Sequence, residues 1–290
     1  MKKTYKFIFT LVILITLLLA YLINSKYIIK CFLEYNNLFY TKLFPVTFIF
    51  YTLSTLLIEY NILNIIPINI NSIYIYLLSL ISGFPSGSKY TKELLDNNII
   101  SYEEASSLLL FSHFPNPLFI IGSISLIINK KFCLLILISI LLSNLIILLF
   151  TKKYIKKYTN TVYPNSFSKV LTTSIYKSIK TIILIYGTSI FFYLISCIIT
   201  KYISFNPYIY ILVSGIFDLT KGVFSTTIIN STIIKAIIIL VFISFGSISI
   251  HMQVKSILED TLLYKSFIKG RIIGTILALI IFLLLIIPFT

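Results

Sequence analysis

The strongest constraint on this chain is that several apolar stretches are long enough for a bilayer, while two others are broken in matching ways. The first broken unit reads LLSLISGFPSGSK (residues 77–89), followed by LLLFSHFPNPLFIIGS (108–123). The second reads ILVSGIFDLTKG (211–222), followed by VFISFGSISIHMQV (241–254). Ser82 and Phe114 are 32 positions apart, Ser214 and Phe245 31. In lipid an unpaired backbone group costs several kcal/mol, so a helix interrupted at membrane depth survives only where it lines protein or water. Interrupted segments at corresponding places in two halves point to a solute-binding site.

Hydrophobic residues make up 58% of the 290 positions and charged residues 11%, with a mean hydropathy of +1.00. Soluble domains carry roughly a quarter charged residues, so this chain cannot cover a water-facing surface. The fold class predicted is all-α, a polytopic membrane protein with two repeat units containing broken helices or re-entrant hairpins. Unbroken runs of about 20 residues, enough to span, lie at 7–23, 132–150, 181–200 and 272–288. The net charge of +15 does not point to nucleic acid, because lysines such as Lys2, Lys3, Lys26, Lys30, Lys130 and Lys131 sit at the ends of apolar runs. There they anchor helices against anionic lipid.

One integral membrane domain is read over residues 1–290. It holds N-terminal helices (1–58), a first broken-helix repeat (72–150), a lysine-rich linker (151–180) and a second repeat (205–288). The linker carries seven lysines and no acid, which favours the cytoplasmic side. No small-x-small cleavage site closes the N-terminal apolar run, so it reads as an uncleaved helix. Residues 59–71, rich in Asn and Pro, read as a loop, and 255–271 as a polar interfacial connection. Ser101 with Glu104 three places on is the pattern of a capping box and predicts a helix start. Orientation stays open, since a re-entrant hairpin changes the parity of crossings between two lysine-rich ends.

Asp218 is the only acid between Glu104 and Glu259 and follows an apolar run directly. A mid-membrane Asp costs roughly 2.5–3.5 kcal/mol, so such residues are paired or functional. Lys221, one helical turn on, offers a structural ion pair; a solute or ion path is the other reading. Lys89 follows small residues (Ser82, Gly83, Pro85, Gly87) that expose backbone amides, a natural anion site; alternatively it snorkels to the headgroups. Asn116 and Pro117 stand where the backbone is unpaired, and Ser112, Ser244 and Ser247 offer hydroxyls at the breaks unless they bond back to helix carbonyls. The candidate path further includes Thr220, Gly246, His251 and Gln253. His113 and His251 are the only histidines, and Cys31, Cys133 and Cys197 have no metal or redox spacing. No metal, cofactor or catalytic group is predicted, and HExxH, GxSxG and P-loop patterns are absent.

These segments carry a resemblance to a known family. TKLFPVTFIF (41–50), SGFPSGSK (82–89), EEASSLLLF (103–111) with NPLFIIGS (116–123), SGIFDLTKG (214–222) and SFGSISIHMQV (244–254) resemble the motifs of sporulation integral membrane proteins of the YlbJ type, which carry nucleoside-recognition (Gate) domains. The similarity spans most of the chain. Asp218 stands in the place of the family's glutamate. His113 and Phe114 replace its paired asparagines, and the region before Ser72 is shorter. The resemblance implies a role in endospore formation in a bacterial membrane, including one surrounding the forespore, and passage of a small anion such as dipicolinate. In that reading Lys89, Lys221 and half-helix amides cradle the anion, and Asp218 gates or couples an ion. A nucleoside-like solute, or a non-transporting scaffold working with other sporulation membrane proteins or a second copy, are the alternatives.

Overall fold

In the computed structural model, residues 2–60, 71–151, 166–203 and 206–287 are described. The chain is all-α, with no strand among the described residues. Among the described residues, six helical stretches are long and apolar enough to cross a bilayer: residues Thr4–Ile23, Ser25–Glu59, Lys130–Thr151, Phe167–Tyr202, Thr232–Leu258 and Thr261–Ile286. The polytopic membrane class predicted from composition is therefore the fold observed. Most of the stretch read as a loop at 59–71, and residues 152–165 of the lysine-rich linker, lie outside the described residues.

Three unbroken stretches differ from their predicted extents. Helix α1 (Lys2–Ile23) is followed by α2 (Ser25–Leu38), which continues through a π-helical turn (Phe39–Leu43) into α3 (Phe44–Glu59). The polar residues before position 43 are thus helical, because one face carries aromatic anchors. Tyr35 and Phe39 are buried and pack on Tyr193 and Tyr186, ring centroids 5.1 and 4.9 Å apart; aromatic burial of this kind outweighs weak local propensity. Their partners belong to α8 (Phe167–Tyr202), which starts inside the stretch read as linker. Lys177 of α8 is held there by Glu59 and Glu93. At the far end, α13 (Thr261–Ile286) begins well before residue 272, absorbing much of the stretch read as interfacial.

The broken stretches are helices stopped by identifiable chemistry. Helix α4 (Asn71–Ser82) ends at Gly83, whose φ of +78° lies in the region that favours glycine. A cis Phe84–Pro85 bond then leads into α5 (Ser86–Asp96). The predicted capping box starts α6 (Tyr102–Phe111): the Glu104 amide donates to Ser101 Oγ at 3.2 Å and the Ser101 amide to Glu104 Oε2 at 2.7 Å. Residues 112–116 are non-helical, as Pro115 and Pro117 require. A short distorted helical stretch then leads to α7 (Lys130–Thr151).

The second unit follows the same order. Asn206 caps α9 (Pro207–Phe217), accepting from Tyr208 and Ile209 amides at 2.9 and 3.3 Å. Asp218 is extended (φ −137°, ψ 130°), ending α9 and capping α10 (Leu219–Ser225). Helix α11 (Thr232–Phe245) stops at Gly246, φ +90°, and α12 (Ile248–Leu258) follows. One continuous hydrophobic core joins α4–α7 with α9–α13, whereas a small separate cluster joins α2 and the π-turn to α8. The interrupted helices therefore pack with α7 and α13 into one body, beside α2, the π-turn and α8.

Candidate functional site

Three of the four interruptions, together with the start of α12 just past the fourth, line one cavity of about 90 Å³. At ~10–15 Å³ per water position, that is room for a handful of waters. The first unit contributes Ser82, Gly83, Phe84, Pro115 and Asn116; the second contributes Asp218, Leu219, Thr220, Ser249, Ile250 and Gln253. The π-turn, α3 and α8 close the remaining side with Phe39, Thr47 and Ser189 among others.

On the first-unit wall, backbone packs on backbone. A Cβ on Gly83 would lie 2.8 Å from the Asn116 nitrogen, and one on Gly87 1.7 Å from the Ser112 carbonyl oxygen. Asn116 uses both ends of its amide: Nδ2 donates to Ile81 O at 3.2 Å, and Oδ1 accepts from the Leu118 amide at 2.8 Å. It therefore satisfies a carbonyl near the end of α4 and an amide at the restart after Pro117. Ser82 Oγ donates to Ser54 Oγ at 2.6 Å and shares a 2.8 Å hydrogen bond with Tyr90 OH, fastening the break to α3 and α5.

The second-unit wall carries the charge. Asp218 is fully buried; Oδ1 accepts from the Lys221 amide at 3.0 Å and Oδ2 from Ser249 Oγ at 3.3 Å. The structural ion pair, one of the two readings of Asp218 and Lys221, does not form. It is the backbone of Lys221 that meets the carboxylate. Its ammonium points the other way, donating to Thr200 Oγ1 at 2.9 Å between the rings of Tyr193 and Tyr210, 5.6 and 5.9 Å from their centroids. There it lines a second cavity of about 380 Å³ with Lys30, Glu34, Tyr27, Cys31 and Cys197. Cys31 of α2 and Cys197 of α8 line this cavity together, a proximity their separation in sequence gave no sign of. Thr220 lines both cavities. Gln253 closes the seam to α8, donating from Nε2 to Ser189 Oγ at 3.1 Å.

Other predicted site residues lie elsewhere. Lys89 does not line the central cavity; its ammonium reaches Lys177 O at 3.4 Å and the Tyr51 ring, beside the Lys177–Glu59–Glu93 cluster. His251 is held by Tyr264 OH and Phe245 O, at 3.1 and 3.2 Å, on a separate apolar cavity that Gly246 also lines. His113 Nε2 pairs with Ser88 Oγ at 3.1 Å. Pro85, Gly87, Pro117 and Ser244 shape the breaks without lining the cavity. The buried hydroxyls of Ser112 and Ser244 do not bond back to helix carbonyls; neither has a hydrogen-bond partner among the described residues.

Sequence reading missed Arg271, placed in a polar connection. It is buried within α13, and Nη1 donates to His113 O at 2.9 Å and Ser244 O at 3.2 Å, one carbonyl from each unit. A signal was present: this is the chain's single arginine among 24 basic residues. Where lysine serves everywhere else, one arginine marks a position that needs a planar fork of donors.

No protein-family model matches the chain, and no solved structure matches it. Among curated proteins it is similar to the sporulation integral membrane protein YlbJ of Bacillus subtilis (strain 168), with 23% identity over 310 aligned positions, covering 86% of this chain and 75% of YlbJ. The resemblance carried by the broken-helix motifs thus extends over most of the chain, which is an integral protein of the cell membrane similar to YlbJ.

Proposed function

We propose that this protein acts in endospore formation by passing a small organic anion, such as dipicolinate, across a membrane. The carrying observation is the convergence on one cavity of three helix interruptions, from both units, and of the first turn of α12. Interrupted backbone at membrane depth is tolerated where it lines a water-filled or solute-filled space. The sporulation role follows the similarity to YlbJ. The anion follows from Lys221, a buried cation that forms no ion pair among the described residues and faces a cavity also lined by Lys30. Asp218 lines the first cavity and holds the start of α10, whose Thr220 lines both, so its charge sets the electrostatics beside the path we infer.

The test is uptake of labelled dipicolinate by liposomes containing the full chain. Asp218→Asn keeps an acceptor for the Lys221 amide while removing the charge, and should lower uptake about tenfold, the equivalent of about 1.4 kcal/mol, with the unfolding midpoint little changed. Unaltered uptake would remove Asp218 from the path. No uptake of dipicolinate, with uptake of uridine instead, would replace the anion by a nucleoside.

A further inference from the structure

Helix α13 runs beside α6 in register. Tyr102 OH donates to Asp260 Oδ1 at 2.6 Å, and Ser106 and Ser266 hydroxyls are 2.5 Å apart. Further along, a Cβ on Gly270 would stand 2.2 Å from Leu110 O, so only glycine allows this approach. The next residue is Arg271. Its Nη1 takes His113 O, just past the end of α6, and Ser244 O, in the last turn of α11; Nη2 donates to Asn144 Oδ1 on α7 at 3.2 Å. Phe267 packs beside the guanidinium, 5.9 Å from its ring centroid. Arg271 is 2% exposed, and no carboxylate pairs with it among the described residues.

A buried unpaired cation is costly unless its surroundings carry compensating charge. Here the compensation is the carbonyl ends of two helices, each equivalent to roughly half a negative charge. Two such ends facing one guanidinium come to about one unit charge. These ends lead directly into the cavity walls: His113 precedes Pro115 and Asn116, and Ser244 precedes α12 with Ser249 and Gln253.

We propose that Arg271 is a positioning residue that binds the first and second helix breaks to each other, so that both walls of the cavity move as one body. The inference deepens the reading of that cavity as a solute path and rests on it for its meaning. Lysine cannot replace arginine in this role: its donors radiate from one atom, whereas the guanidinium holds its carbonyls and Asn144 from two nitrogens in one plane. Gly270 supplies the approach that puts the fork within reach.

The test is hydrogen–deuterium exchange on the full chain in lipid nanodiscs, which requires no transported solute. Its failure is therefore distinct from failure of the transport reading. Arg271→Lys, which keeps the charge and loses the fork, should raise exchange about tenfold, or about 1.4 kcal/mol in local opening, in peptides covering 108–119 and 242–251 together, with α1, α2 and α8 unchanged. Gly270→Ala, which pushes α13 away from α6, should give the same paired signature, and it serves if Arg271→Lys does not fold. A rise at only one break, no rise at either, or a uniform rise over all helices would overturn the proposal.

Discussion

The two interrupted units share an order of elements but differ in what they place at the break. In the first, Gly83 and Gly87 bring backbone against Asn116 and Ser112, the cavity side is neutral, and the lysine that follows is turned toward Lys177, Glu59 and Glu93. In the second, close backbone approach occurs within the hairpin itself, where a Cβ on Gly222 would lie 2.2 Å from Gly215 Cα. Its break carries a buried carboxylate, and its lysine faces open space. One layout thus serves two tasks. The first unit forms a wall by packing, and the second brings charge to that wall.

The largest effect separating the two should come from glycine. Gly87 has an ordinary backbone, but an added methyl would meet Ser112 O at 1.7 Å, and a backbone carbonyl cannot yield as a side chain does. Overpacking costs about 1–3 kcal/mol, occasionally more, so Gly87→Ala should lose about 3 kcal/mol in detergent unfolding. Gly246 is the reverse case. Its φ is +90° and ψ 164°, a region essentially restricted to glycine, yet the nearest atom to an added Cβ is Ile250 Cγ2 at 3.5 Å, so Gly246→Ala should cost only the backbone strain of about 2 kcal/mol. Equal losses at the two positions would mean that the first break is not packed more tightly than the second.

The lysines give the next contrast. Lys221→Met removes a buried, unpaired cation from the second cavity and should lower dipicolinate uptake about tenfold, as loss of a charged hydrogen bond of about 1.5 kcal/mol or more predicts. Lys89→Met removes a cation already surrounded by Glu59, Glu93 and Lys177, and should change uptake less than twofold, on the order of 0.4 kcal/mol. The outcome that breaks the comparison is the reverse ranking, which would return the anion contact to the first unit.

How far these differences were legible in the sequence depends on whether their cause was local. The capping box at Ser101 and Glu104, the stop at Gly246 and the isolation of Asp218 were all readable, because each acts within one helical turn. The direction of Lys221 was not. Sequence distance put its ammonium within reach of Asp218, but the rings of Tyr193 and Tyr210 and the Thr200 hydroxyl, on α8 and α9, draw it to the other side. Lys89 resembled an anion ligand because its acids lie on two other elements, at Glu59 and Glu93. Arg271 was hidden for the same reason. The polar residues around it suggested a connection, while its partners stand more than 20 positions away, at Asn144, His113 and Ser244. Tertiary partners decide such residues, and periodicity carries no record of them.

The smallest expected effect tests where the two units touch outside the cavity. Asp260 lies between α12 and α13; it caps α13 by accepting from the Leu262 and Leu263 amides, both at 2.8 Å, and accepts from Tyr102 OH of the first unit. The Tyr102 hydroxyl first, then the Leu263 amide, holds its carboxyl below the usual carboxylate range. A depressed folded-state pKa contributes stability above the unfolded value of about 3.9, and that contribution is lost as pH falls through the folded value. Tyr102→Phe should therefore lower the unfolding midpoint slightly at neutral pH, and the difference from the parent chain should shrink as pH falls below about 3.9 and through the folded value. A difference that persists in acid would mean that the hydroxyl serves the contact without the carboxylate charge. The seam between the units would then be held from within, at Gly270 and Arg271, and its water-facing end would contribute packing alone.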